Sequence, residues 1–175
     1  IPTIDADPAF GADVRPVDFV PDAERATFRG IVRPDGRVAT RNFIGLISSV
    51  NCSATVIHKV AEWFTPERLA SYPNVDGVVA FAQPSGCGMS SPSEHFDLLR
   101  RTIAGYARHP NLAGVVIVGL GCERNQVGDL LDSQGLAPGD RLATLVMQQA
   151  GGTRATIEAG RSEEHTSELQ SLTNL

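Results

Sequence analysis

Several things are scarce in this chain of 175 residues, and each scarcity excludes something. No apolar run approaches the roughly 20 residues that a membrane-spanning helix needs, so no bilayer span is expected. Basic residues are outnumbered: Lys and Arg total 15 against 20 Asp and Glu, a formal net charge of −5. That balance argues against nucleic acid or an anionic membrane as partner, while a small anion answers to local charge only. Cysteine is limited to three, an odd number without disulfide-scaffold spacing, which suits a reducing, cytoplasmic setting. Ile1 is not followed by a basic-then-apolar leader, so no export signal is expected.

The ends differ from the middle. Residues 1–27, rich in Pro, Asp and Ala, read as an irregular linker. Residues 161–175 contain RSEEHTSELQS, which is identical to one reading frame of a common sequencing-library adapter. They are expected to be an artefact tail on a gene cut near Gly160, and His165 is set aside with them.

Between these ends the pattern is that of an α/β domain. Pro34-Asp35-Gly36 lies between two β-prone pieces and predicts a hairpin within Phe28–Asn42. Apolar runs at Phe43–Val50, Val75–Ala82, Ala113–Gly119 and Leu142–Met147 predict four strands. Stripes at helical spacing separate them, beginning with Val56, Ile57, Val60, Ala61 and Phe64. Thr65-Pro66-Glu67 opens a second short helix with Thr65 as N-cap. Ser91-Pro92-Ser93-Glu94 reads as a capping box for a helix to about Ala107, with Phe96, Leu99, Ile103 and Tyr106 buried. A further helix runs from about Asn125 to Gln134 and stops at Gly135, and another starts at Thr153. Strands apolar throughout and separated by helices predict a parallel sheet of about four strands, helices on both faces, preceded by a β-hairpin.

The three cysteines then stand out. Cys52, Cys87 and Cys122 recur at an interval of 35 residues, each just after an apolar strand. One strand–helix unit has about that length, so the three loops should share the carboxyl edge of the sheet, where open α/β folds place ligands. Helix N-termini following such loops favour anions and lower thiol pKa values. Thiolates suit iron, zinc or an iron–sulfur cluster, although free cysteine also fills space in many cores. Near the loops, His95 is a candidate base, ligand or capping partner. Glu123 and Gln126 flank Cys122 as candidate substrate or metal contacts. Arg41 could form a bidentate pair with a carboxylate, but it stands before the first strand and hence at the opposite edge unless the hairpin folds over. His58 and His109 are most simply solvated. Gly119-Leu120-Gly121-Cys122 and Gly86-Cys87-Gly88 both lack the third glycine of a dinucleotide fingerprint.

Taken together, Arg33-Pro34-Asp35-Gly36-Arg37, Thr40-Arg41-Asn42, Val50-Asn51-Cys52, Gly86-Cys87-Gly88-Met89, Arg108-His109-Pro110-Asn111 and Gly119-Leu120-Gly121-Cys122-Glu123-Arg124-Asn125-Gln126 resemble the altronate/galactarate dehydratase family of sugar-acid hydro-lyases. The resemblance covers about residues 28–160 and implies the middle domain of a larger enzyme, truncated here and inactive as a fragment. It implies dehydration of altronate, galactarate or a similar acid to a 2-keto-3-deoxy acid. The implied cofactor is divalent iron, another divalent metal or an iron–sulfur cluster, with Cys52, Cys87 and Cys122 as ligands. His95 and Glu123 would be catalytic, and Arg41, Asn42 and Gln126 would contact substrate. A homo-oligomer is expected at full length. One departure is plain: Ala82-Gln83-Pro84 stands where relatives commonly carry a histidine, and glutamine cannot act as a general base. The competing class is a non-catalytic cysteine-bound metal or iron–sulfur domain that supports binding or assembly. A nucleotide-binding domain is a third, weakened by the incomplete glycine pattern.

Overall fold

A computed structural model describes residues 18–162. Most of the expected linker and nearly all of the expected tail thus lie outside the described residues. Within the former, Asp22–Glu24 forms a single 3-10 turn.

The hairpin is present. Strands β1 (Ile31–Val32) and β2 (Val38–Ala39) pair antiparallel around Pro34-Asp35-Gly36. The four apolar runs become β3 (Phe43–Ser48), β4 (Gly77–Phe81), β5 (Leu112–Gly119) and β6 (Leu142–Val146). They form one parallel sheet in the order β4-β3-β5-β6. β3 and β5 are buried almost throughout, as continuous apolar strands covered on both faces must be.

Alternation along the strands feeds two cores. Ile47, Val115 and Ile117 point to one face and pack with Ile103 of α3 (Glu94–Ala107) and Val127, Leu130 and Leu131 of α4 (Val127–Gln134). Leu46, Val116 and Val118 point to the other and pack with Val56, Ile57 and Val60 of α1 (Ala54–Ala61), joined by Ile157 of α6 (Thr153–Arg161). Two short helices complete the set: α2 (Pro66–Leu69), and α5 (Met147–Ala150), which the sequence pattern did not predict. No helix among the described residues is long and apolar enough to cross a membrane.

Three local expectations shift. The cap of α3 is Ser93, whose Oγ accepts from Phe96 N at 3.2 Å, so Glu94 begins the helix and does not close a box with Ser91. Tyr106 is 44% exposed because it lies over Phe81 at the sheet margin, with ring centroids 4.8 Å apart, while Ala104 takes the buried position. Thr65 caps α2 by position only, its side chain turning instead to the Glu67 carboxylate, which is held below its ordinary pKa by that bond.

The connectivity matters for function. From β3 the chain moves to β4 on one side, then returns past β3 to β5 and β6 on the other. The direction therefore reverses between β3 and β5, and the crevice above their carboxyl ends is the expected ligand position of such a sheet.

Candidate thiol site at the carboxyl edge

The register explains the cysteine interval. Ile44 pairs with Val78 and Gly114, offsets of 34 and 70 residues. The cysteine offsets of 35 and 70 match these to within one residue, so the three thiols emerge at nearly the same level above β3, β4 and β5. All three are free and exposed.

Their loops are tied to one another, at the surface and beneath it. Asn51 N donates to Ser85 O at 2.8 Å, joining the Cys52 and Cys87 loops. Ser49, fully buried at the end of β3, donates from Oγ to Glu123 Oε1 at 3.0 Å, joining the Cys52 and Cys122 loops. Ser53 Oγ donates to Val118 O at 2.7 Å, and buried Asn125 donates from Nδ2 to Ser49 O at 3.3 Å. Arg100, stacked on the Phe96 ring, donates from Nε to Asn125 Oδ1 at 3.0 Å and so braces the junction from α3.

Glu123 is the centre of this arrangement. Only 2% exposed, it accepts from Leu120 N at 3.1 Å and Gly121 N at 2.5 Å besides Ser49. A charge taken out of water must be met by donors, and here two backbone N–H groups and a hydroxyl meet it. Gly119 makes the room: a Cβ there would fall 2.5 Å from Glu123 Oε1. Gly86 has an equivalent role beside Cys87, since its φ is +101° and a Cβ would stand 2.9 Å from Ser49 O.

The thiols feel each other. The Cys52 thiol is pushed above its usual pKa, first by desolvation against the loops, then by the charge and hydrogen bonding of Cys87, and further by Cys122. Gln148 Nε2 donates to Cys122 Sγ at 3.2 Å, and Cys52 Sγ approaches Asn51 Oδ1 at 3.6 Å. The donor chemistry fits a soft metal. Among the described residues, however, no three His, Cys, Asp or Glu side chains are gathered closely enough to hold a metal ion. A shared metal would require these loops to draw together.

The other sequence candidates divide by edge. His95 is exposed in the first turn of α3 and lines an open cleft with Gln83, Ser85, Met89 and Ser93. Gln126 is half-buried, and its Nε2 donates to Gly121 O at 3.1 Å and Glu123 O at 2.8 Å, within its own loop. Gln83 braces the Cys87 loop, with Nε2 donating to Ser85 O at 2.9 Å and Oε1 accepting from Ser85 N at 2.7 Å. Arg41 and Asn42 are not brought to the thiols, because the hairpin stays at the amino edge of the sheet. Arg41 is exposed and donates to Thr40 O at 3.2 Å. Asn42 is buried, donating to Asn74 O at 2.6 Å and accepting from Arg33 at 2.7 Å. Sequence reasoning missed Ser49, Ser53 and Asn125. The signal available was Ser48-Ser49 closing an otherwise apolar strand directly before the loop.

Fold and site together define a doubly wound α/β domain that presents three cysteine loops at its topological switch point. The chain belongs to the D-galactarate dehydratase/altronate hydrolase second-domain family, whose profile matches residues 30–170. It is 29% identical over 133 residues to altronate dehydratase of Escherichia coli (strain K12), covering 76% of this chain and 26% of that protein. It is 39% identical over 113 residues to the L-threo-forming galactarate dehydratase of the same organism, covering 64% and 22%. Altronate dehydratase of Bacillus subtilis (strain 168) is 28% identical over 110 residues, covering 63% and 22%. The chain thus spans about a quarter of the length of these curated relatives. No solved structure matches it significantly.

Proposed function

We propose that this chain is the thiol-bearing domain of a sugar-acid hydro-lyase, which converts altronate, galactarate or a similar acid to a 2-keto-3-deoxy acid. The observation that supports this best is the convergence of three cross-tied cysteine loops at the switch point, in a member of this family. Loss of the C2 proton and the C3 hydroxyl as water leaves an enol at C2, which tautomerises to the ketone. The C2 proton, α to a carboxylate, is weakly acidic, so the reaction needs a base and stabilisation of developing negative charge.

With their loops drawn together, Cys52, Cys87 and Cys122 would hold a divalent iron, which would supply Lewis acidity toward the substrate carboxylate and the departing hydroxyl. His95 is the candidate base, its imidazole nitrogen accepting the C2 proton at the cleft beside the Cys87 loop. Glu123 has its carboxylate occupied by three donors, and its role in this reading is to hold the Cys122 loop in place. Gln83 keeps the Cys87 loop in shape without moving a proton.

The test uses this domain within a protein of the curated relatives' full length, purified without oxygen and supplied with ferrous iron. Product formation from altronate and from galactarate is followed by the 2-keto group. His95→Gln is expected to lower kcat by roughly 100-fold, and Cys→Ser at each cysteine to lower bound iron. Iron bound without turnover of any sugar acid would overturn the reading in favour of a binding or assembly module.

A further inference from the structure

The amino edge of the sheet carries a second cleft, distant in the fold from the thiols. It has a volume of about 360 Å³ and is lined by Arg33, Thr40, Asn42, Asp76 and Arg141 together with apolar residues of the hairpin. Arg33 is only 8% exposed although it belongs to a hairpin turn. Its Nε donates to Pro110 O at 2.8 Å, and its Nη2 to Asn42 Oδ1 at 2.7 Å and Arg41 O at 3.3 Å. Arg141, half-buried before β6, donates from Nε to Ala113 O at 3.0 Å and from Nη2 to Leu112 O at 2.9 Å.

These bonds fix both guanidinium planes but supply no negative charge. The ion pairs among the described residues are Arg25–Asp22, Arg37–Asp35 and Lys59–Glu62, and neither Arg33 nor Arg141 takes part. The Nη1 of each is left without a hydrogen-bond partner among the described residues. Asp76, the carboxylate of the cleft, already accepts from Asn42 N at 2.5 Å. The two cations are near enough that Arg141 lowers the pKa of Arg33, second only to burial. Asp35 acts electrostatically on both cations but is ion-paired with Arg37 and with neither of them. The two guanidiniums, which hydrogen-bond only to carbonyls and an amide, are therefore offset in part and face a cleft open to a ligand.

We infer that Arg33 and Arg141 form a binding site for a small oxyanion, a carboxylate or phosphate group, seated between their free Nη1 groups in the amino-edge cleft. Helices end at this edge of a parallel α/β sheet, so backbone N–H groups are not on offer and the donors must be side chains. Planar guanidiniums already oriented by carbonyls lose little entropy on receiving an anion. The inference is independent of the dehydratase reading, which concerns the opposite edge.

The test follows the arginine Nε–H signals of the full chain by ¹H–¹⁵N NMR during titration with inorganic phosphate and, separately, malonate. Sodium chloride at matched ionic strength is the control. The Arg33 and Arg141 signals should move and saturate with phosphate or malonate and not with chloride. Arg141→Gln should weaken the response at Arg33 by at least about tenfold, as loss of charged hydrogen bonds implies. Shifts no larger than those with chloride, or an undiminished response in Arg141→Gln, would overturn the inference. If circular dichroism shows that Arg141→Gln does not fold, the wild-type signals decide alone.

Discussion

The two edges of the sheet solve opposite problems with opposite charges. At the carboxyl edge, strands hand over to helix N-termini and loops rich in N–H groups, and the buried ion there is a carboxylate. Glu123 accepts from two backbone N–H groups and a serine. At the amino edge, helices arrive by their C-termini and the strands begin, so unpaired groups are carbonyls and the ions are guanidiniums. Arg33 and Arg141 donate to Pro110, Arg41, Leu112 and Ala113 carbonyls. Arg108, after α3, donates to the carbonyls of Gln134 and Gly135 at the end of α4. The polarity of the backbone thus selects which ion is buried at each edge. The edges also differ in completeness: the Glu123 cluster is closed within the chain, whereas the arginine pair keeps donors free.

That contrast predicts unequal costs of mutation. Glu123→Ala should be the most damaging single change, because it leaves the half-buried Leu120 N and Gly121 N without an acceptor and Ser49 Oγ with only a long contact to Val118 O at 3.5 Å. At about 1–3 kcal/mol for each unsatisfied donor, partly relieved by entering water, a loss of roughly 4 kcal/mol is expected. Urea denaturation of the full chain measures it, and a loss below about 1 kcal/mol would show that the carboxyl edge is not held by this carboxylate.

Arg33→Met is the matching change at the other edge and should cost less, about 2 kcal/mol. It removes three hydrogen bonds, but it also removes a cation that Arg141 repels and that burial disfavours. Carbonyls left behind are easier to satisfy with water than N–H groups, since each has two lone pairs. A cost equal to or above that of Glu123→Ala, measured in the same urea series, would break the comparison.

Legibility in the sequence follows the range of the interactions. The four strands, the hairpin, α1, α4 with its stop at Gly135, and α6 were readable because apolar period and turn chemistry act over a few residues. The common level of the thiols was readable too, since a repeated strand–helix unit leaves a repeated interval. What escaped depends on long-range pairing. Glu123 is a catalytic candidate by its place beside Cys122, and that Ser49, 74 residues away, donates to it is visible only in the fold. Arg33 enters the sequence reading only as part of a turn motif, and its burial against Pro110, 77 residues away, which accepts its Nε–H, has no local signal. Asn42 is a candidate substrate contact in the sequence, and that Asn74 and Arg33 engage its amide is likewise visible only in the fold. In each case the local pattern is polar and loop-like, and only the tertiary partner decides whether the group is free.

The smallest expected effect sharpens the comparison from within the hairpin, where Arg33 and Arg37 lie four residues apart in opposite surroundings. Arg37 is partly exposed and pairs with Asp35, Nη2 to Oδ2 at 2.6 Å. The Arg37 side chain, and then its backbone N–H, lower the Asp35 pKa from 3.8 to about 2. A depressed carboxylate adds stability at pH values above its unfolded pKa and loses it as pH falls through the folded value. The Asp35 contribution should therefore be complete above about pH 4 and disappear toward pH 2, and solvent and salt will keep it small. A ¹³C titration of the Asp35 carboxyl should show a midpoint near 2. In Arg37→Ala the midpoint should rise toward 3.8 but stay below it, because backbone N–H of residue 37 still donates to Oδ1. If the midpoint did not move, the turn backbone alone would be holding the carboxylate. The exposed Arg37 would then contribute nothing to that carboxylate, in contrast to the bonds that buried Arg33 makes to the chain.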